Sequence, residues 1–133
     1  MKDSGAGPEL RPRLRLMRGK AIAVGPGKAD LLAAIAETGS IAAAGRRLGM
    51  SYKRAWYLLD TMNRCFCAPV VQANKGGRGR GGAVLTPTGA RVLALYRALE
   101  ACLAKAGRAE LAALEGLLKP AQADAGQEGS DEL

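Results

Sequence analysis

Histidine is absent from this 133-residue sequence, and aromatic side chains are few: one Phe, one Trp and three Tyr. Without imidazole, the side chain that most readily moves a proton near neutral pH is missing. No separated carboxylate pair marks a pocket either. An enzyme would have to rely on Cys, Lys or Tyr with no visible partner, so no catalysis is expected. The shortage of large aromatic side chains leaves a thin core, of the kind a second subunit helps to bury. No apolar run approaches the ~20 residues of a membrane span, and the N-terminal MKDSGAGPEL lacks the apolar centre of a signal peptide. A cytoplasmic protein without membrane contact is the expectation. The three cysteines, Cys65, Cys67 and Cys102, are an odd number that suits a reducing compartment. With no imidazole to join them they fall short of a metal site, so neither metal nor cofactor is expected. Cys65 and Cys67 read as buried, inert thiols; a thiol- or metal-responsive switch is the alternative.

Negative charge is also scarce over most of the chain. The formal net charge is +8, but Lys119 to Leu133 carries four acidic residues and one lysine. Residues 1–118 therefore hold 19 Lys and Arg against 8 Asp and Glu, a net of +11. Between Ser40 and Gly82 the only acid is Asp60, set against Arg46, Arg47, Lys53, Arg54, Arg64, Lys75, Arg78 and Arg80. Charge clustered this way favours a polyanion, through release of its counterions.

What is present is organised around Ser40 to Phe66, SIAAAGRRLGMSYKRAWYLLDTMNRCF. A short first helix places Ile41, Ala44 and Leu48 on one face, and its small residues let a second helix cross closely. Gly49 suits the left-handed conformation that ends a helix. Ser51 is the predicted cap of the next helix, which opens with Tyr52, Lys53 and Arg54 and then repeats Ala55, Leu58, Leu59 and Met62 at helical spacing. This is a helix-turn-helix pattern, with a second helix whose leading turn can reach phosphates and base edges. The residues expected to face DNA are Ser51, Tyr52, Lys53, Arg54 and Tyr57 on the recognition helix, with Arg46 and Arg47 on the support helix. Lys53, Tyr57 and Arg64 fall on one line of the exposed side. Trp56 reads as a packing residue, and a plain helical hairpin with a solvated face is the alternative to the whole reading.

Around this motif, residues 1–10 read as disordered. Arg13–Leu16 and Ala21–Val24 alternate about Gly19-Lys20, predicting a β-hairpin with Leu14, Leu16, Ile22 and Val24 on a buried face and Arg13 and Arg15 in water. A helix is expected from about Gly27 to Thr38, ended by Gly39, with Ser40 capping the next. After Ala68-Pro69, the strands Val70–Gln72 and Ala83–Leu85 flank NKGGRGRGG. That loop lacks the phosphate-cradle patterns GxxxxGK[ST] and GxGxxG. It reads as the wing of a winged helix, with Lys75, Arg78 and Arg80 reaching phosphate or the minor groove. Thr86 and Pro87 start a long helix to about Ala106, striped by Val92, Leu95, Tyr96, Leu99 and Leu103, and a last helix spans Arg108 to Leu118. The tail from 119 to 133 reads as acidic and disordered.

With wing and long helix in place, residues about 12–105 resemble the N-terminal DNA-binding domain of the ModE-type molybdate-responsive regulators, a winged-helix family with a LysR-like helix-turn-helix. The resemblance lies in LLAAIAETGSIAAAGRRLGMSYKRAWYLLDTMNR and PVVQANKGGRGRGGAVLTPTGARVLALYRALE, above all in GMSYKRAW and the GGxGxGGAxLTPxG junction. It implies a dimer on a palindromic operator, formed through the N-terminal hairpin and the long helices. It also implies that Ser51, Tyr52, Lys53, Arg54 and Tyr57 face DNA, with Lys75, Arg78 and Arg80 in the wing.

The expected fold is therefore mainly α with small β-hairpins (α+β). It is a winged helix-turn-helix over residues 11–118 with an N-terminal hairpin and a long C-terminal dimerisation helix bearing Leu95, Tyr96, Leu99 and Leu103. The expected function is a homodimeric, sequence-specific regulator of double-stranded DNA. Full-length members of the resembled family also carry oxyanion-binding molbindin domains, and no segment here reads as one. Molybdate or tungstate control is not carried over: the expectation is either DNA binding without an effector, or a signal that arrives through a separate molybdate-binding partner protein or an unrecognised site, for which Cys65 and Cys67 are the visible candidates. The alternative function is RNA or single-strand binding through the Gly/Arg-rich loop.

Overall fold

The computed structural model describes Glu9, residues 11–74 and residues 82–120. The expectations of disorder at 1–10 and 119–133 therefore fall almost wholly outside the described residues. The elements are β1 (Leu16–Arg18), β2 (Ala21–Val24), α1 (Pro26–Thr38), α2 (Ile41–Leu48), α3 (Tyr52–Cys65), β3 (Val71–Asn74), β4 (Gly82–Leu85), α4 (Pro87–Ala106) and α5 (Arg108–Glu115). This is the α+β winged helix-turn-helix anticipated from the residues. Its core lies within the compact unit Arg13–Ala101. The helix α5 belongs to a second unit, made of Met1–Pro12 and Cys102–Leu133; it stops three residues short of the expected Leu118, and Leu114, Leu117 and Leu118 are exposed.

Local chemistry sets the three central helices. Pro26 occupies the first turn of α1, where its missing N–H is not needed. Gly39, at φ +75°, ends α1 and donates its N–H to the Ile35 carbonyl. Ser40 then caps α2, its hydroxyl accepting from the Ala43 N–H at 3.0 Å. Gly49, at φ +72°, ends α2, and the Ser51 hydroxyl caps α3 by accepting from the Arg54 N–H at 3.0 Å. Two left-handed glycines and two serine caps thus fold the chain back on itself twice within thirteen residues, Gly39 to Ser51.

The three helices enclose Leu31, Leu32 and Ile35 of α1, Ile41 and Ala44 of α2, and Ala55, Leu58, Leu59 and Met62 of α3. Each of the large side chains among them contributes roughly 1.5–3 kcal/mol by leaving water. At Gly45 a β-carbon would sit 3.2 Å from the Met50 carbonyl oxygen, so a larger residue would push the turn away from α2 by a few tenths of an ångström. Val70 and Ala83 close the core from the wing side. The Asn63 side-chain oxygen accepts from the Val70 N–H at 2.8 Å, and the Ala83 N–H donates to the Gly39 carbonyl at 2.9 Å. The wing strands are thereby tied to both α3 and the end of α1. Their antiparallel register runs without a slip from Val71↔Leu85 to Asn74↔Gly82; β3 starts one residue later than the expected Val70 and β4 one earlier than the expected Ala83.

The N-terminal hairpin departs from the expected alternation. Only Leu16–Arg18 pairs with β2, and Leu16↔Val24 is followed by Met17↔Ile22. Ala23 is thus an extra residue on β2, and a bulge interrupts the two-residue period. Ala23 and Val24 are both buried as a result, whereas Leu16 and Met17 are both exposed. Leu14 lies before the strand and is half-buried. The carbonyl of Leu14 accepts the Tyr96 hydroxyl at 2.9 Å, and Tyr96 packs with Val24 and Ala29 in a second small cluster.

Candidate nucleic-acid interface

The leading turn of α3 stands clear of the core. Ser51, Tyr52, Lys53 and Arg54 are all exposed, while Ala55, the next residue, is fully buried. Tyr57 is exposed one turn further on, and the Arg54 guanidinium lies 5.6 Å from the centre of its ring. That cation–π contact holds a positive charge out over the helix face. Tyr52 meets Trp56 edge-on, with ring centres 6.3 Å apart. Trp56 was expected to pack inside; it is 40% exposed, because positions 55, 58, 59 and 62 already fill the buried face of α3. The result is a surface of three aromatic rings and two cations with hydrogen-bonding and stacking capacity at one helix end.

Arg46 and Arg47 are exposed in the last turn of α2. Arg47 is held by Glu37 of α1, an exposed pair of small energetic weight. Arg64 pairs with Asp60 one turn earlier at 2.8 Å. The wing residues Lys75, Arg78 and Arg80 lie outside the described residues; β3 and β4 fix the two ends from which their loop departs.

A groove of about 690 Å³ runs beside α3. Arg54, Tyr57 and Arg64 form one wall, Arg13, Arg15 and Lys20 from the hairpin form the other, and Lys28 of α1 sits at its base. Lys28 is buried, and its ammonium donates to the Ile22 carbonyl at 2.8 Å. Burial pulls its pKa below the usual 10.5; the nearby Cys65 acts against this and the Arg54 charge reinforces it. Arg13 and Arg15 are exposed, as the alternation predicts. Their alternation with leucine was the visible signal; their position facing α3 was not visible.

On the opposite character of surface, Leu95, Leu99 and Leu103 are exposed at four-residue steps along α4. Tyr96, expected to share that face, instead turns inward: it is 4% exposed and spends its hydroxyl on Leu14. A smaller apolar groove of about 240 Å³ is lined by Leu14, Leu16, Val24, Phe66, Leu95 and Leu99, among others.

The cysteines also differ from expectation. Cys67 and Cys102 are exposed and Cys65 is half-buried, because α3 ends at Cys65 and Cys67 lies on the outward turn that follows. Among the described residues, no three His, Cys, Asp or Glu side chains gather where they could hold a metal ion. Among the same residues, no helix is long and apolar enough to cross a membrane.

Residues 28–90 match the bacterial regulatory helix-turn-helix protein family of lysR type. That span runs from α1 to the first turn of α4 and contains both α3 and the wing. The chain is 52% identical over 82 residues to the molybdenum-pterin-binding protein MopB of Rhodobacter capsulatus, an alignment covering 62% of this chain and 30% of MopB. It is 49% identical over 70 residues to the molybdenum transport protein ModE of Azotobacter vinelandii, covering 53% of this chain and 26% of that protein. It is 42% identical over 71 residues to the DNA-binding transcriptional dual regulator ModE of Escherichia coli (strain K12), covering 53% and 27%. The chain thus spans roughly a third or less of the length of these relatives. The resemblance seen in GMSYKRAW and in the wing-to-helix junction is borne out.

Proposed function

We propose that this chain, which carries a lysR-type regulatory helix-turn-helix at residues 28–90, is a sequence-specific DNA-binding transcriptional regulator that works as a homodimer on a palindromic operator. The observation that carries the reading is the exposed start of α3. Its rigid core side fixes the helix, its serine cap fixes the first turn, and Tyr52, Lys53, Arg54 and Tyr57 are left facing outward. Arg and Lys there can donate to guanine O6 and N7, and the capped helix terminus and Tyr hydroxyls can hold phosphate. Arg46 and Arg47 supply phosphate contacts from α2, and Lys75, Arg78 and Arg80 supply them from the wing. The molybdenum connection comes from the relatives: one is named for binding molybdenum-pterin and another as a DNA-binding transcriptional regulator. A molybdate-linked signal, from this protein or from a separate oxyanion-binding partner, is part of the proposal.

Dimer formation is supported by α4. Leu95, Leu99 and Leu103 offer an apolar stripe beside the small apolar groove, and a second copy's α4 matches both. Removing Tyr96 from the interface narrows the contact to these three leucines and the exposed hairpin residues Leu16 and Met17.

Selection of bound duplexes from a random pool, with and without molybdate, tests the function. Enrichment of an inverted repeat is expected. Lys53→Ala with Arg54→Ala should abolish discrimination between the selected site and random duplex. Arg78→Ala with Arg80→Ala should weaken binding to every sequence and lower the salt slope by about 2. Tighter binding to single strands than to duplex would overturn the reading in favour of a Gly/Arg-loop RNA or single-strand binder.

A further inference from the structure

We propose that the groove between the β1–β2 hairpin and α3 seats the phosphodiester backbone of the bound duplex, making the N-terminal hairpin part of the DNA interface alongside helix and wing. This rests on the DNA-binding reading above and extends it to Arg13, Arg15, Lys20, Lys28 and Arg64. Six cations from three separate elements converge on the groove, and no carboxylate lines it. Among the described residues, the one acid paired with any of them is Asp60, on Arg64. Like charges gathered on one groove repel, and apart from the Lys28 bond to Ile22 and the Arg64–Asp60 pair the fold offers them no hydrogen-bond or ion-pair partner among the described residues; a polyanion is the partner that turns the arrangement favourable. The groove is also continuous with the DNA-facing surface, because Arg54 and Tyr57 belong to both.

The dimensions favour a backbone over a free ion. Arg54 and Arg64 are ten residues apart on one helix, a rise of about 15 Å. One strand of a duplex carries a phosphate per ~3.4 Å of axis, so about four phosphates pass along such a length. A single tetrahedral oxyanion reaches only two or three of these side chains and leaves most of a groove of about 690 Å³ empty. Lys28 already donates to Ile22, and it fixes the hairpin against α1 so that Arg13, Arg15 and Lys20 stand opposite α3.

The test is a salt titration of duplex affinity for the full chain and for Arg13→Gln/Arg15→Gln/Lys20→Gln. Glutamine keeps the aliphatic stems, which matters because the Arg15 stem packs over Gly25. Loss of three phosphate contacts should lower the slope of log K against log salt by about 2.7. The preference for operator over random duplex should be unchanged, unlike that of Lys53→Ala/Arg54→Ala. The single reversal Lys20→Glu, at an exposed turn position, should weaken both duplexes in the same proportion. An unchanged slope in the triple variant, while the parent still binds duplex, overturns the proposal and leaves the DNA-binding reading standing. A calorimetric titration with inorganic phosphate covers the other source of the same chemistry: saturable binding lost in the triple variant, with an unchanged DNA slope, makes the groove a small-anion site and overturns the backbone assignment. Failure of the parent itself to bind any duplex removes both readings.

Discussion

Gly89 lies against the backbone of Val70 so closely that a β-carbon on it would overlap the Val70 carbonyl oxygen and stand 2.8 Å from the carbonyl carbon. The contact is made at the junction where the wing ends and α4 begins. Thr86 locks the same junction: its hydroxyl donates to the Pro69 carbonyl at 2.6 Å and accepts from the Gly89 N–H at 2.9 Å, while its own N–H donates to Val70 at 3.0 Å. The obstacle is backbone, so no rotamer change relieves it. Gly89→Ala should therefore cost about 3 kcal/mol or more. Gly27→Ala, where an added β-carbon meets nothing within 4 Å, should stabilise by about 0.5–1 kcal/mol. Urea unfolding of both variants checks the contrast; equal midpoints would show that the junction is not this tight.

This junction also shows what could be read in the residues and what could not. The Thr86-Pro87 helix start was legible because capping is local chemistry, as were Ser40, Ser51 and the left-handed Gly39 and Gly49. The need for glycine at 89 was not, since it comes from Val70, nineteen residues away. The same division holds along α4. Helical periodicity picked out Val92, Leu95, Tyr96, Leu99 and Leu103 as one stripe, but only packing separates Tyr96, which the protomer uses itself, from the exposed leucines. In the hairpin, the bulge at Ala23 interrupts the period of two, and Leu16, although paired with buried Val24, is left exposed along the small apolar groove. The recognition helix was legible because its buried and exposed positions follow the helical period. The basic groove was not, because its two walls come from segments about forty residues apart.

Tyr96 gives the fold a measurable alkaline limit. Burial, with a further contribution from Glu100, raises its pKa above the ordinary 10.0. The unfolded chain then loses its phenol proton first, so stability from this group is complete below pH 10 and falls as pH rises through the folded value. Lys28 works in the opposite sense: its lowered pKa means the unfolded chain holds the extra proton, so stability rises with pH between the lowered value and 10.5. Urea midpoints measured from pH 9 to 11 should show the parent losing ground relative to Tyr96→Phe above pH 10, and gaining relative to Lys28→Met below 10.5.

The exposed leucines of α4 should decide the oligomeric state. Leu95 and Leu99 are 54% and 48% exposed in the single chain, so charged replacements there do not disturb its own core. Leu95→Glu with Leu99→Glu should leave thermal stability measured at high dilution nearly unchanged. Sedimentation should shift from twice the 13.8 kDa chain mass to the chain mass itself. Affinity for an inverted repeat should then drop towards that for a single half-site, because the two half-sites are no longer linked. A parent that sediments as 13.8 kDa at micromolar concentration would remove the dimer from the proposal.

Ser40 and Ser51 offer the sharpest separation of stability from DNA contact, because the two caps are chemically alike. Each hydroxyl accepts one backbone N–H at 3.0 Å, from Ala43 and from Arg54 respectively. Replacing either with alanine should cost about 1 kcal/mol, so the two variants should melt at similar temperatures. They differ in what the freed turn carries. The first turn of α2 holds Ala42 and Ala43, which have nothing to offer a duplex. The first turn of α3 holds Tyr52, Lys53 and Arg54, and their geometry loosens when the Arg54 N–H loses its partner. Ser51→Ala should therefore weaken binding to the selected operator by about tenfold or more, the equivalent of roughly 1.4 kcal/mol, while Ser40→Ala changes it little. Equal losses in both variants would mean that the start of α3 does not touch the duplex, and the recognition surface would have to be sought in the wing and the hairpin groove instead.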